Sequence, residues 1–277
     1  MRTTSFNTLI GYLTEGQSPR VWSLLMSVFG ARAQKDGSGI SRALLRQLTE
    51  RIGIKPEAMR VAIHRLRKDG WIDTQRSGRT SVYFLTPWGR EQSALATPRI
   101  YATRQAADHA WLALFNLAKP APADNSNGAW VSSNVLITSV EPASGQAFVS
   151  PLNTPADVPN WISDKVCEEL TQRMSQDFAM ALDHVERHLT RACTLTPLDV
   201  ATLRVLLVHG WRRIVLKTPL LPDFIFPEGW AGPQCRAKVA LLLARYPSPA
   251  LGELEAAAAS ATTAMVKEAP VTTTAQS

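Results

Sequence analysis

The chain has 277 residues, of which 45% are apolar and 19% charged, and its formal net charge is +7. This length is enough for two or three small domains, each with its own core. No uninterrupted apolar run approaches the roughly 20 residues that span a bilayer, and residues 1–19 lack the apolar centre of a signal peptide. We therefore expect a cytoplasmic protein and no membrane contact.

The basic excess is confined to the first part of the chain. Residues 1–107 hold 17 Lys and Arg against 7 Asp and Glu, whereas residues 108–277 hold 13 against 16. The two balances are +10 and −3. This distribution predicts that the N-terminal part alone contacts a polyanion such as DNA.

The first elements in the chain are predicted to be helices. Residues 6–13 favour a short helix or a docking arm, and residues 19–30 are apolar enough for a largely buried helix. After a polar, Gly-rich loop at 34–39, Ser41 is placed to cap a second helix that Gly53 ends. A third helix begins only three residues later, as in a helix-turn-helix.

The third helix begins at Pro56 and ends at Gly70, and it has two distinct faces. Its apolar residues recur at helical spacing and predict one buried face: Met59, Ala62, Ile63 and Leu66. The opposite side carries Glu57, Val61, His64, Arg65 and Lys68, with Arg60 and Arg67 at its boundary. Any amphipathic helix needs a polar face, so this pattern alone does not decide between DNA binding and ordinary solvation.

Two β-prone runs follow this helix, at 71–75 and 80–85, and they predict a hairpin with Arg76 and Arg79 at its tip. A helix-turn-helix followed by a basic hairpin is the layout of a winged helix-turn-helix. In that layout the helix lies in the major groove and the hairpin reaches phosphates or the minor groove.

The rest of the chain mixes short strands with longer helices. Thr86 and Pro87 predict a capped helix that runs to about His109. Strands are predicted at 111–116, 130–140 and 147–149, and helices at 161–191, 197–217 and 234–246. Residues 119–128 (KPAPADNSNG) read as loop, and 218–233 as a proline-rich segment.

We predict an α+β fold in four parts. These are a winged helix-turn-helix domain with a linker helix at 1–107, a small central α/β domain at 108–160, a helical C-terminal domain at 161–250 and a disordered tail at 251–277.

Five blocks of this sequence resemble one known family, the PaaX-type transcriptional regulators, which repress bacterial phenylacetate degradation. The blocks are SLLMSVFG at 23–30, MRVAIHRLRKDGW at 59–71, RSGRTSVYFLTPWGR at 76–90, RIYA at 99–102 and LVHGWRRIVLKTPLLPDFIFPEGWAG at 207–232. They cover about half of the chain, and the last block is the most specific because winged helices are common.

The resemblance implies a dimeric repressor whose central domain is ferredoxin-like and whose effector, phenylacetyl-coenzyme A, releases the operator. It places DNA contacts on Arg60, Val61, His64 and Arg65, and on the hairpin arginines Arg76 and Arg79. This chain departs from the family at two places. The loop at 119–128 stands where a helix is usual, and Lys217-Thr218-Pro219 stands where Arg-Asp-Pro is frequent.

An effector site is predicted on the apolar helix at 197–217. Arg212 and Arg213, close to His209 and Trp211, could hold the phosphates of a coenzyme A thioester through charge-assisted hydrogen bonds. The alternative is that these arginines pair with carboxylates such as Asp199 or Glu169 and serve the fold.

The sequence gives little support for a metal site or for an enzyme. His184 and His188 share a helix face near Cys193, but Val185 stands where HExxH would need Glu, so we expect a surface pair, no metal and no cofactor. No phosphate-binding glycine loop and no Gly-x-Ser-x-Gly motif occurs. A metal nuclease would need a carboxylate at the end of the first strand of the central domain to hold its ion. This strand ends in Phe115-Asn116, and Asn cannot supply that charge.

These observations favour a cytoplasmic, homodimeric DNA-binding repressor that is not an enzyme. It would respond to phenylacetyl-coenzyme A or a related acyl-coenzyme A. Two other readings stay open. One is a winged-helix module for assembly or non-specific DNA binding without an effector, and the other is a nucleic-acid enzyme.

Overall fold

The computed structural model describes residues 2–14, 20–77, 80–104, 107–116, 127–143, 145, 147–189 and 194–267. Within these ranges the helices are α1 Arg2–Thr14, α2 Val21–Arg32, α3 Arg42–Arg51, α4 Pro56–Lys68, α5 Pro87–Ile100, α6 Asn160–Val166, α7 Glu169–Leu189, α8 Pro197–Val215, α9 Gly232–Arg245 and α10 Leu251–Lys267. The strands are β1 Gly39–Ser41, β2 Ile72–Ser77, β3 Thr80–Leu85, β4 Ala110–Leu114, β5 Gly128–Trp130, β6 Val135–Thr138 and β7 Phe148–Leu152. The α+β class is confirmed.

The first sheet ties the hairpin to the N-terminal helices. Its strand order is β1-β3-β2 and both pairings are antiparallel. Strand β1 was not predicted; it lies where the sequence indicated the end of a loop, and it pairs Gly39 with Phe84. A side-chain carbon at residue 39 would lie only 2.4 Å from the Phe84 ring, so any larger residue there would force this ring to move. The sheet fixes the hairpin against α3 and α4.

The second sheet has the order β5-β6-β4-β7 and is antiparallel throughout. The single strand predicted at 130–140 is wrong, because the chain turns at residues 131–134 and forms β5 and β6, which pair with each other. Most of the predicted loop at 119–128 lies outside the described residues. The ferredoxin-like assignment stays a prediction.

Two hydrophobic cores hold these elements together. The larger one combines both ends of the chain, with Leu24 and Leu45 from the first helices and Leu182, Leu207 and Trp211 from the later ones. The smaller core lies between the second sheet, α6 and the proline-rich segment, where it includes Ala110, Ile137, Ile162, Leu221 and Ile225. Packing within one core does not decide whether its parts fold independently, so the domain boundaries stay a prediction.

The predicted disordered tail at 251–277 is wrong for its first part. Residues Leu251–Lys267 form α10, in which Leu254 and Ala258 are fully buried. The alanine-rich composition was read as low complexity, but alanine is also the strongest helix former. The Gln47 side chain donates to the Ala258 carbonyl at 3.0 Å, and the Glu255 carboxylate accepts from the Ser41 backbone N–H at 2.8 Å. These contacts and the packing attach the tail helix to α3.

Two further helix boundaries differ from the prediction. The helix expected at 161–191 is interrupted because Cys167 adopts an extended backbone, with φ −133° and ψ 106°, and α7 starts afresh after it. Helix α5 ends at Ile100 instead of about His109, shortly after Pro98, whose missing N–H removes one of its last backbone donors. No helix in the described part of the chain is long and apolar enough to cross a membrane.

Candidate nucleic-acid interface and ligand cavities

Residues at both ends of α4 determine where this helix begins and ends. Gly53 and Gly70, with φ of +80° and +75°, turn the chain immediately before and after this helix. Lys55 is extended at the N-cap position and Pro56 occupies the first turn. The predicted inner face is buried as a whole, since Met59, Ala62, Ile63 and Leu66 are all at most 6% exposed. Because this face packs into the core, the opposite face of α4 points towards solvent.

The predicted outer face of α4 is exposed along its whole length. We call it the basic face, and its residues are Arg60, Val61, His64, Arg65 and Lys68. Arg60 pairs with Glu57 of the same helix at 3.0 Å, and Arg65 pairs with Asp69, the C-cap residue, at 3.5 Å. The Arg65 guanidinium also lies 5.3 Å from the centre of the Trp22 ring. These contacts orient the side chains of Arg60 and Arg65, which remain exposed to solvent.

Val61 is the one apolar member of the basic face, and 69% of it is exposed. It contributes little to the core in this position. A small apolar group between cations is the kind of side chain that contacts thymine methyl groups in a major groove.

The hairpin extends further than the sequence indicated. Its six cross-strand pairs run from Ile72 and Leu85 to Ser77 and Thr80, so only residues 78 and 79 connect the strands. Arg76 is exposed and lies opposite Ser81 near the end of the hairpin. Arg79 falls outside the described residues, so its place at the tip stays a prediction.

The four predicted effector residues of α8 do not share one cavity. His209, Arg212 and Arg213 line a cleft on one side of the helix, whereas Trp211 lines a separate cavity. Successive helical residues are rotated by about 100°, which sends neighbours in sequence to different sides. The role of these four residues in effector binding stays a prediction.

The cleft is open, has a volume of about 820 Å³ and lies between the start of α2 and the end of α8. We call it the basic cleft because its lining includes Arg20, Arg212, Arg213 and Lys217, with Asp177 as its acidic member. The carboxylates named above as alternative partners for Arg212 and Arg213 are engaged elsewhere. Asp199 pairs with Arg51 at 3.2 Å, and Glu169 pairs with Arg173.

His209 lies at the inner end of the basic cleft and is only 4% exposed. Its Nδ1 atom is 3.3 Å from the Ser27 hydroxyl of α2. Burial, followed by the nearby Arg213 and Arg212, lowers the pKa of His209 to about 3. His209 is therefore neutral at physiological pH and links α8 to α2 rather than contributing charge.

The second cavity was missed by sequence reasoning. It has a volume of about 130 Å³, and we call it the aromatic cavity; its walls include Arg99, Trp211, Val215, Leu221, Phe226 and Trp230. Most of these residues belong to the proline-punctuated block at 207–232. The density of aromatic residues in that block was the available signal, but Arg99 joins them from a distant part of the chain.

The histidine pair on α7 contacts an aromatic ring instead of a cluster of ligands. The Tyr12 ring stacks on His184 with centroids 4.9 Å apart, and His188 lies edge-on at 6.3 Å. Cys193 falls outside the described residues. Across the described ranges, no three His, Cys, Asp or Glu side chains come together as a metal site would need.

Comparison with known proteins identifies the family. A family model described as PaaX-like protein matches residues 20–89, and one described as PaaX-like protein C-terminal domain matches residues 167–251. The transcriptional repressor PaaX of Escherichia coli (strain K12) is 29% identical over 245 residues, which cover 77% of this chain and 76% of that protein.

A solved structure, that of an uncharacterized protein from Mycobacterium tuberculosis, aligns over 85% of this chain and 96% of its own with a TM-score of 0.43 and 16% identity. The two family models match separate segments in the expected order, and they include α4 and the aromatic cavity's main segment. The chain belongs to the PaaX-like protein family.

Proposed function

We propose that this protein is a DNA-binding transcriptional repressor and that α2 to β3 form a winged helix-turn-helix. The observation that carries the proposal is the exposed basic face on a helix whose opposite face is buried. The similarity to a protein named as a transcriptional repressor supports the same function. The confinement of excess positive charge to residues 1–107 supports DNA as the partner.

In the proposed complex α4 enters the major groove. Arg60, His64 and Arg65 contact base edges, and Lys68 with the hairpin arginines Arg76 and Arg79 contacts phosphates. Two copies bind a palindromic operator as a homodimer, because the symmetry of such sites mirrors that of the protein. The phosphate contacts position the protein and the base contacts give sequence specificity.

We further propose that an acyl-coenzyme A effector, phenylacetyl-coenzyme A or a relative, controls the affinity for the operator. The basic cleft offers Arg20, Arg212, Arg213 and Lys217 to phosphate groups. Helix α2 contacts both α4 and α8, and the Ser27–His209 contact is part of that junction. An effector lowers DNA affinity only if it binds the DNA-incompetent arrangement more tightly than the competent one.

The DNA-binding proposal is tested by fluorescence anisotropy with the promoter DNA next to the protein's own gene. Arg65→Ala should weaken specific binding by about 1–3 kcal/mol, a rise in Kd of roughly 5-fold to 150-fold. The control is Arg173→Ala, because Arg173 is equally exposed, at 69% against 67%, and has the same i,i+4 pairing with a carboxylate. Equal binding by both variants, or binding insensitive to salt, would contradict the proposal.

The effector proposal is tested by thermal unfolding with phenylacetyl-coenzyme A, since a ligand of the native state raises Tm. The double variant Arg212→Gln/Arg213→Gln should lose most of this rise while keeping its DNA affinity. A protein that binds DNA but shows no Tm shift with any thioester would instead be the effector-free winged-helix module.

A further inference from the structure

Trp22, at the start of α2, belongs to two surfaces of the molecule. It lines the basic cleft. Its ring also lies under the guanidinium of Arg65 on the basic face of α4, with 5.3 Å between the guanidinium carbon and the ring centre. Trp22 therefore connects the two regions that the proposed function assigns to the effector and to DNA.

The two arginines of the basic face are held in different ways. The Nη2 group of Arg60 donates to the Glu57 carboxylate at 3.0 Å, so a terminal donor is engaged there. Arg65 is paired with Asp69 through Nε at 3.5 Å and is 67% exposed, so this pair contributes little to its orientation. A cation over an aromatic ring is attracted to it without the use of a hydrogen-bond donor. Contact with Trp22 thus orients Arg65 and leaves its terminal nitrogen groups for a base.

Base recognition by an arginine depends on such orientation. The commonest specific contact to DNA is an arginine or lysine that donates to guanine, and the planar fork of arginine makes two such hydrogen bonds at once. A flexible side chain loses rotamer freedom when it makes this contact, whereas one already held by a ring loses less. The ring should therefore increase affinity for the operator more than affinity for random DNA, which depends mainly on phosphate contacts.

Packing holds the Trp22 ring in place. Trp22 is half-buried against the larger core, and α2, on which it lies, contacts both α4 and α8. Its Nε1 atom is buried and has no hydrogen-bond partner among the described residues. A ring held by packing alone is displaced more easily than one that is also hydrogen-bonded, so a group that fills the cleft at Trp22 can move it.

We propose that Trp22 is a positioning residue for DNA recognition. Its ring holds the Arg65 guanidinium ready for a base edge, and an occupant of the basic cleft changes that position. This inference rests on the proposed function and deepens it, because it names the side chain through which the cleft acts on α4.

A double-mutant cycle between Trp22 and Arg65 tests the positioning role, with operator affinity measured by fluorescence anisotropy. Trp22→Leu removes the ring and should raise the operator Kd roughly two- to fivefold, with a smaller change for random DNA. Trp22→Phe keeps a ring and should recover part of the loss. On the Arg65→Ala background, Trp22→Leu should have no further effect on operator affinity. Trp161→Leu is the control and should bind as the wild type does, because Trp161 is 55% exposed on α6.

The outcomes of this cycle separate the inference from the function on which it rests. If Arg65→Ala weakens operator binding but Trp22→Leu has the same effect with and without Arg65, the inference is overturned and the proposed function stands. Equal losses of operator and random DNA binding in Trp22→Leu would also overturn it, because they would show a role in the fold alone. If Arg65→Ala leaves operator binding unchanged, the proposed base contact of Arg65 fails, and the positioning role of Trp22 fails with it.

Nuclear magnetic resonance of the wild-type chain gives a second measurement that does not depend on the folding of a Trp22 variant. The Arg65 Nε–H signal is identified by its loss in Arg65→Ala, and the ring current of Trp22 should displace it from the position usual for exposed arginines. Saturating phenylacetyl-coenzyme A should change this displacement, while the Arg46 Nε–H signal stays in place. Arg46 is the control because it pairs with Glu50 through Nε in the same i,i+4 arrangement, on α3 and outside the lining of the cleft.

The signal of Arg65 decides both parts of the inference. If it is not displaced in the free protein, the contact with Trp22 is overturned. If the thioester raises Tm but leaves the displaced signal unchanged, the link to the cleft is overturned. If the thioester does not raise Tm either, the proposed effector fails and the link fails with it, whereas the mutant cycle still decides the positioning role on DNA alone.

Discussion

Helices α4 and α8 both carry several cations, but they hold them in opposite ways. The cations of the basic face are exposed to solvent, and the two ion pairs there join them to Glu57 of α4 and to its C-cap residue Asp69. On α8, burial lowers the pKa values of Arg204, Arg212 and Arg213, and Trp211 of the same helix is only 1% exposed. The cations of α4 are exposed to solvent, whereas those of α8 are partly buried.

This difference has energetic consequences. Exposed pairs contribute little to stability, so the basic face can change its partners without cost to the fold. Burying a cation or a polar side chain costs free energy unless its polar atoms are paired, so removing a partner from such a group destabilises the fold. We therefore expect substitutions on α8 to change stability and those on α4 to change DNA binding, and four predictions test this contrast.

The largest effect is expected at Trp211, which is 1% exposed in the larger core. Trp211→Ala should lower the free energy of unfolding by about 3–5 kcal/mol, from lost burial and the cavity left behind. Urea denaturation measures it, with Trp161→Ala as the matched control because Trp161 is 55% exposed. A loss below about 1 kcal/mol, the size expected for a surface residue, would show that the Trp211 side chain of α8 is not part of the core.

The next effect is a pH dependence that comes from His209. Its folded pKa of about 3 lies below the ordinary 6.5, so below pH 6.5 the unfolded chain binds a proton that the folded chain does not. The stability contributed by neutral His209 is complete above pH 6.5 and is lost as the pH falls towards 3. Between pH 7.5 and 5 the loss should reach about 2 kcal/mol.

His209→Gln isolates this contribution, because glutamine cannot take up the proton. Urea denaturation at pH 7.5 and at pH 5 should show a smaller decline in stability for the variant than for the wild type. Comparison of the two declines cancels the titration of the other histidines. Equal declines would show that His209 is accessible to protons in the folded state.

A smaller effect is expected where the two halves meet at Asp199. This carboxylate pairs with Arg51 of α3 at 3.2 Å and completes a capping box with Thr196 at the start of α8. Asp199→Ala should cost about 1–2 kcal/mol, most of it from the cap. Arg51→Ala removes only the ion pair and should cost less than about 1 kcal/mol. If Arg51→Ala cost more stability than Asp199→Ala, the ion pair rather than the helix cap would be the larger contribution of Asp199.

Features encoded by neighbouring residues were predicted correctly from the sequence. The cap at Ser41 is present, with its hydroxyl accepting from Leu44 N at 3.1 Å, and the cap at Thr86 accepts from Gly89 N at 3.0 Å. The two faces of α4 were also assigned correctly, because helical periodicity alone decides which side chains share a face.

Features that depend on distant contacts were not predictable in the same way. The aromatic cavity joins Arg99 to Trp211 and Trp230, residues more than a hundred positions apart, and no local pattern specifies that meeting. Similarly, α10 is fixed by the burial of Leu254 and Ala258 and the hydrogen bonds to α3, which composition alone does not reveal. Trp211 lines a different cavity from Arg212 and Arg213 because a helix distributes adjacent residues around its axis.

The smallest effect on stability is expected at Val61, which provides the sharpest test of α4. Because Val61 is 69% exposed, Val61→Ser should change the free energy of unfolding by no more than about 0.5 kcal/mol. If Val61 contacts a thymine methyl group, the same change should reduce the preference for operator over random DNA. Competition binding with both DNAs measures this preference.

Ile63→Ser is the matched control for Val61→Ser, since Ile63 lies two residues further along α4 but is only 6% exposed. Here a buried apolar side chain is replaced by a polar one, so the loss of stability should be severalfold larger. Destabilisation by Val61→Ser as large as that by Ile63→Ser would mean that Val61 is covered by part of the protein in solution. The basic face would then not be free to meet DNA, and the contrast between α4 and α8 would fail.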